Sequence, residues 1–141
     1  MSNPAPLPTE QLIVNGVSFS HDDFHQVVED FYGRVQQDAE LSIPFLSVHD
    51  WPDHIRRLTH FWWIRFGGRP YMFAEYNPVA KHYYAGFNAN LLERWLGLFE
   101  ATLTDRLQPD QAALWIMIAK RIGFALTAKD EAFRHAMENK S

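Results

Sequence analysis

The chain has no cysteine, which excludes a disulfide framework, a thiolate metal site and a thiol nucleophile. Basic residues are outnumbered, 13 Lys and Arg against 17 Asp and Glu, for a net charge of −4. That balance argues against a nucleic-acid partner held through phosphate contacts. Long apolar runs are missing as well. The longest, Ala112 to Ala119, is eight residues, where a membrane-spanning helix needs about 20. The segment MSNPAPLPTE carries neither the basic nor the apolar region of a secretory signal. There is no HExxH, no glycine-rich phosphate loop, no GxSxG and no internal repeat. These absences predict a cytoplasmic protein without a nucleic-acid or membrane partner, and 141 residues predict one domain.

Aromatic residues, by contrast, are plentiful: 11 Phe, 5 Trp and 5 Tyr, with 7 His beside them. The combination suits either a large apolar cavity with a few polar groups or an aromatic core. Residues 1–10, with three prolines, read as a mobile tail. Asn15-Gly16 between the apolar triplets Leu12–Val14 and Val17–Phe19 is a type I′ hairpin signal. A lone hairpin is marginal in water, so a turn leading straight into a helix is the equal alternative.

From Phe24 the apolar period is helical. Phe24, Val27, Val28, Phe31 and Val35 share one face, with Ser20 available as N-cap. A second helix runs from Pro52 to Phe66 and stops at Gly67-Gly68, with Pro70 beyond. Asn77-Pro78 starts a short helix reaching His82. Leu92, Trp95, Leu96, Phe99 and Leu103 form the next stripe. Trp115, Ile118, Ala119, Ile122 and Leu126 mark a last helix from Pro109. The predicted fold is all-α.

Few residues suggest chemistry. His21 and His25 have metal-ligand spacing, but no third ligand stands near them, and a solvated first helical turn is the plainer reading. His82 offers one imidazole at the end of a short helix, the kind of ligand that holds haem iron in globins. Tyr32, His54 and Trp95 supply a phenol, an imidazole and an indole from three helices, and all three suit a shared polar pocket. Each has an ordinary structural reading too, at the surface or as core filler.

The blocks DFYGRVQQDAELSIPF, WPDHIRRLTHFWWIRFGG, NPVAKH and LLERWLGLFEATL resemble the truncated haemoglobins, most of all group III. The likeness spans roughly residues 22 to 128 and implies two antiparallel helix pairs, a two-over-two helical sandwich, around one haem b. Residues 21–141 would form the haem-binding globin domain and 1–20 an N-terminal extension. By that resemblance His82 is the proximal iron ligand. Tyr32, His54 and Trp95 are the distal residues, and Phe45 packs on the porphyrin. Leu58 and Ile122 are apolar pocket positions, Trp62 is a tryptophan that group III carries, and Arg57 meets a propionate, with Lys81 and Arg69 as alternatives. The Gly67-Gly68 ending and Tyr83-Tyr84 depart from the group III pattern.

The function implied is binding of O2, CO, NO or peroxide at a polar distal pocket. Peroxidase-like chemistry or NO dioxygenation would draw on an unidentified reductant, in a monomer or weak dimer. His54 has two open roles, sixth iron ligand or gate. A competing class is a helical interaction module without haem. Phe61, Trp62 and Trp63 fan too widely for one helix face, so Trp63 is the candidate for an exposed aromatic patch, unless the N-terminal segment covers it.

Overall fold

The two residues that carry the hairpin signal both take positive φ, 50° at Asn15 and 78° at Gly16, as a type I′ turn requires. They pair β1 (Leu12–Val14) antiparallel with β2 (Val17–Phe19), Leu12 opposite Phe19. The computed structural model describes residues 7–46, 48–72 and 89–138, with side chains from 90 to 123 in the C-terminal part. The hairpin leads directly into a helix, so the two alternatives are one structure. It is held by its last residue: Phe19 is fully buried among Phe24, Phe66 and Trp115. Gln111 Nε2 also donates to the Ser18 carbonyl at 2.8 Å.

Ser20 caps α1 (His21–Gln37) in a reciprocal box. Its hydroxyl accepts from the Asp23 N–H, and the Asp23 carboxylate accepts from the Ser20 N–H at 2.8 Å, which satisfies donors the helix itself leaves open. The predicted face is the observed one: Phe24, Val27, Val28, Phe31 and Val35 are all fully buried. Burying them against α2 and α3 is what orders the rest of the chain. Three ion pairs border the α1–α3 contact, with Arg34 bonded to Asp30 and Asp105, and Arg106 to Asp30.

After α1 the chain turns on Asp38. Its carboxylate accepts from the Glu40 and Leu41 N–H groups, both at 2.9 Å, and from Arg94 on α3. The hydrogen bond from Arg94, then that from Leu41, holds the Asp38 pKa down at about 2. This brace leads into a single 3₁₀ turn, Ile43–Phe45.

Helix α2 (Trp51–Arg65) is capped by Asp50, whose side chain accepts from the Asp53 N–H, and carries Pro52 in its first turn. Its buried set is wider than one stripe: Leu58, Thr59, His60, Trp62 and Trp63. The helix stops at Gly67, where φ is 100°, and the backbone then doubles back over Trp63. A Cβ on Gly68 would overlap the Trp63 indole. The indole N–H donates to the Arg69 carbonyl at 3.0 Å. Trp63 is therefore fully buried, between this returning strand and His21 and Phe24 on α1. Of the two readings for Trp63 the covered one holds, with the chain returning after α2 as the cover where the N-terminal segment was expected. The three rings do fan: Trp62 and Trp63 are buried, and Phe61 is half-buried against the core.

Helices α3 (Ala89–Arg106) and α4 (Pro109–Glu138) complete the body. The pair α1–α2 lies against the pair α3–α4 through α1 on α3, and β2 rests on α4. Leu92, Trp95, Phe99 and Leu103 are buried on α3, as are Trp115, Ile118 and Ala119 on α4. The helix expected to reach His82 and the loop Tyr84–Asn88 lie outside the described residues, as does the Leu126 side chain. No helix among the described residues is long and apolar enough to cross a membrane.

The close approach at Gly68 carries a prediction. Gly68→Ala is expected to destabilise the protein by about 1–3 kcal/mol, the cost of overpacking a filled site, read as a lower urea midpoint at unchanged slope.

Candidate functional site

Four rings from three successive pieces of chain meet at one end of the α1–α2 contact. Tyr32 on α1 meets His54 edge-on at 5.5 Å between ring centroids and Phe45 of the 3₁₀ turn at 5.7 Å. Phe45 stands 6.0 Å from His54. Trp51, one turn before His54 on α2, closes the group at 5.3 Å from His54 and 6.0 Å from Tyr32. Tyr32 and Phe45 are buried, while Trp51 and His54 are half-buried at the rim. The Asp38–Arg94 brace explains why Phe45 arrives here, since it fixes the turn that carries it.

Trp95 on α3 joins through one intervening ring. Phe31 lies 4.9 Å from Tyr32 and 5.2 Å from Trp95, both edge-on. Trp95 stacks on Phe99 at 4.9 Å with 6° between planes, and Phe99 in turn stacks on Trp62 at 5.7 Å. The Trp95 Nε1 and His54 Nε2 atoms are both shielded from solvent. Leu58 is buried on α2, and Ile122 is half-buried against the core. Phenol, imidazole and indole thus come from α1, α2 and α3 into one neighbourhood walled by rings and aliphatic groups. Such a set can donate hydrogen bonds to a small polar ligand where little water competes.

Not every expected residue falls here. Arg57 is half-exposed, and its Nε is engaged by Asp53 on its own helix at 2.8 Å. Arg69 is exposed. Lys81 and His82, the expected iron ligand, lie outside the described residues. Trp51 was missed by sequence reasoning. Its only signal is its place three residues before His54, one helical turn away on the same side.

A second polar group lies at the other end of α1. His21 is buried, contrary to the expected solvated first turn, because the chain returning after α2 lays Tyr71 over it. His21 Nε2 and the Tyr71 hydroxyl are hydrogen bonded at 2.6 Å. The Tyr71 N–H donates to His60 Nε2 at 3.2 Å, with the His60 and Tyr71 rings 4.6 Å apart. His25 instead pairs with Glu29 at 3.3 Å, so the two metal-spaced histidines have different partners. Burial lowers the pKa of both His21 and His60, with His25 adding to the effect at His21. It raises that of Tyr71 to about 12. No local pattern announces this cluster, since Tyr71 is brought in from 50 residues beyond His21.

Two helix pairs crossing through α1 on α3, with a polar aromatic site at the α1–α2 end, define the class: a globin-type helical sandwich. The family model for bacterial-like globins matches residues 20–126, and the chain belongs to that family. It is a haem-binding globin, a family whose ligands are small gases such as O2. The chain is also similar in structure to the group III truncated hemoglobin from Campylobacter jejuni. The TM-score is 0.67 at 23% identity, over 77% of this chain and 88% of that one. A comparison with curated proteins returned no match. The all-α sandwich expected from the sequence is thus the observed fold.

The buried histidines set a pH dependence. Their folded pKa values lie below the ordinary 6.5, so the unfolded chain takes up protons first as pH falls. Their contribution to stability is complete above about pH 6.5 and is lost as pH drops through the folded values. The melting temperature is expected to decline below that pH, and more shallowly in His60→Gln, measured by thermal denaturation across the range.

Proposed function

We propose that the protein is a haem b globin that holds O2 and related diatomic ligands beside Tyr32, His54 and Trp95, with His82 as the iron ligand. The observation that carries the proposal is the meeting of Tyr32, Phe45, Trp51 and His54, with centroids between 5.3 and 6.2 Å for every pair. The donor set fits the group: three donors of different kind against apolar walls suit a flat apolar macrocycle carrying a small polar ligand. Phe45 and Leu58 would flank the haem, and Trp62 and Ile122 would fill behind it. Arg57, half-exposed, would reach a propionate only beyond its pairing with Asp53. When bound, haem supplies a ferrous iron that shares electron density with O2.

The chain's own residues then do the rest. The Tyr32 hydroxyl and the Trp95 N–H donate toward the ligand, from positions already fixed by ring packing, so no reorganisation is spent on bonding it. His54, at the rim, is suited to pass a proton at Nε2 or to swing aside for entry. Phe31, Phe45 and Trp51 exclude water, which strengthens each donor. The same donors suit peroxide, whose O–O bond breaks more easily when a proton is delivered to the departing oxygen. Peroxidase-like turnover would draw on that proton delivery, and NO dioxygenation would draw on the O2 that the same donors hold. The reading includes cytoplasmic residence and a reductant not yet identified.

Tyr32→Phe tests it. Loss of one net hydrogen bond of about 1.4 kcal/mol is expected to speed O2 release from the haem-loaded protein about tenfold, by stopped-flow. CO release, with a less polar ligand, should change far less. An O2 rate unchanged within about twofold would remove Tyr32 from the role.

A further inference from the structure

The site just described is joined by a continuous run of aromatic rings to the His21–Tyr71 pair at the other end of α1. Trp62, stacked on Phe99 beside Trp95, meets Trp115 at 5.3 Å. Trp115 meets Phe24 at 5.1 Å, and Phe24 meets Trp63 at 6.0 Å. Trp63 stands 5.5 Å from His21, which is hydrogen bonded to Tyr71. Indole and phenol are the protein side chains most readily oxidised by one electron, whereas phenyl rings only bridge. Here the indoles Trp62, Trp115 and Trp63 are buried, and the phenol at the far end is half-exposed.

We propose that this run is a one-electron relay, and that Tyr71 is the place where small reducing substrates of the phenol class deliver electrons to the interior.

The hydrogen bonding along the run favours that direction. An oxidised indole is trapped when it loses its N–H proton to a base. Trp115 Nε1 is buried with no hydrogen-bond partner among the described residues, and Trp63 Nε1 faces only the Arg69 carbonyl, which does not take up a proton. A vacancy on either ring therefore stays mobile. Tyr71 is the opposite case. Its phenol holds its proton up to a pKa of about 12, so it gives up an electron only if the proton leaves as well. An acceptor waits at 2.6 Å in His21 Nε2, neutral because burial depresses its basicity. His60 fixes the segment by accepting from the Tyr71 N–H.

The step balances. One electron passes from Tyr71 through Trp63 to the oxidised indole, which is restored. The phenol proton moves to His21 Nε2, leaving a neutral phenoxyl on Tyr71. A phenolic donor from solution then gives one electron to that phenoxyl and releases its own proton to water, while His21 hands the first proton back. The relay rests on the peroxide reading above for its oxidant, hydrogen peroxide reduced at the haem.

The test separates the two. Azide radicals produced by pulse radiolysis oxidise tryptophan in preference to tyrosine and need no haem chemistry. In the full-length haem-loaded protein, indolyl absorbance is expected to decay as phenoxyl absorbance grows, at a rate independent of protein concentration and slower in heavy water. Tyr71→Phe should lose most of the phenoxyl yield. His21→Gln, which keeps a hydrogen-bonding side chain but not a base, should slow the transfer with Tyr71 in place. Phenoxyl growth unchanged in Tyr71→Phe, or indolyl decay with no phenoxyl, overturns the relay. A run that passes this test in a protein that consumes no peroxide leaves the electron-transfer path standing but overturns the peroxide reading, and with it the delivery of electrons from phenolic donors.

Discussion

Everything in this protein depends on how the buried face of α1 is covered. Five side chains, Phe24, Val27, Val28, Phe31 and Val35, are fully buried along one stripe, and two other helices are needed to hide them. Each fully buried side chain of this kind is worth about 1.5–3 kcal/mol relative to exposure, so the helix cannot stay in water with that face open. Covering it with α2 and α3 has two structural results, one at each end. At the C-terminal end Tyr32 is carried to Phe45 and His54. At the N-terminal end His21 and Phe24 are pressed against Trp63.

The polar groups follow that packing. Tyr32, His54 and Trp95 sit among rings that hold them in place, which is what a ligand pocket requires. The Asp38–Arg94 brace belongs to the same design. It lies at the protein surface, yet it decides where Phe45 stands, because the turn carrying Phe45 hangs from the Asp38 carboxylate. At the other end, Gly67 and Gly68 let the backbone close over Trp63, and that closure delivers Tyr71 to His21 and His60. One helix therefore organises both the polar aromatic cluster around Tyr32 and a distant phenol–imidazole pair.

Much of the fold was readable because its signals are local. The period of α1, the Ser20 cap, the Asn15-Gly16 turn and the Gly67-Gly68 stop each act within a few residues, and each is found where expected. Faces of helices were readable too. What covers a face was not. For Trp63 the sequence leaves two readings, exposed or covered by the N-terminal segment, because nothing near it reveals that the chain returning after α2 is what covers it. His21 reads as a solvated turn for the same reason. In the candidate site, Tyr32, Phe45, Leu58 and Trp62 stand out through burial, but their shared purpose rested on family resemblance. Spacing alone leaves Tyr32, His54 and Trp95 as three unrelated polar groups, and Trp51 as an ordinary first-turn tryptophan.

We propose that the aromatic end of the α1–α2 contact receives one haem held by His82. Titration of the full-length protein with haemin, followed by the Soret band and by quenching of tryptophan fluorescence, tests it most directly. A single saturable site per chain is expected and, after reduction under CO, the spectrum of histidine-ligated haem, which His82→Ala abolishes. Absence of saturable haemin uptake would exclude a haem site here, and a ligated spectrum that survives in His82→Ala would exclude His82 as the iron ligand.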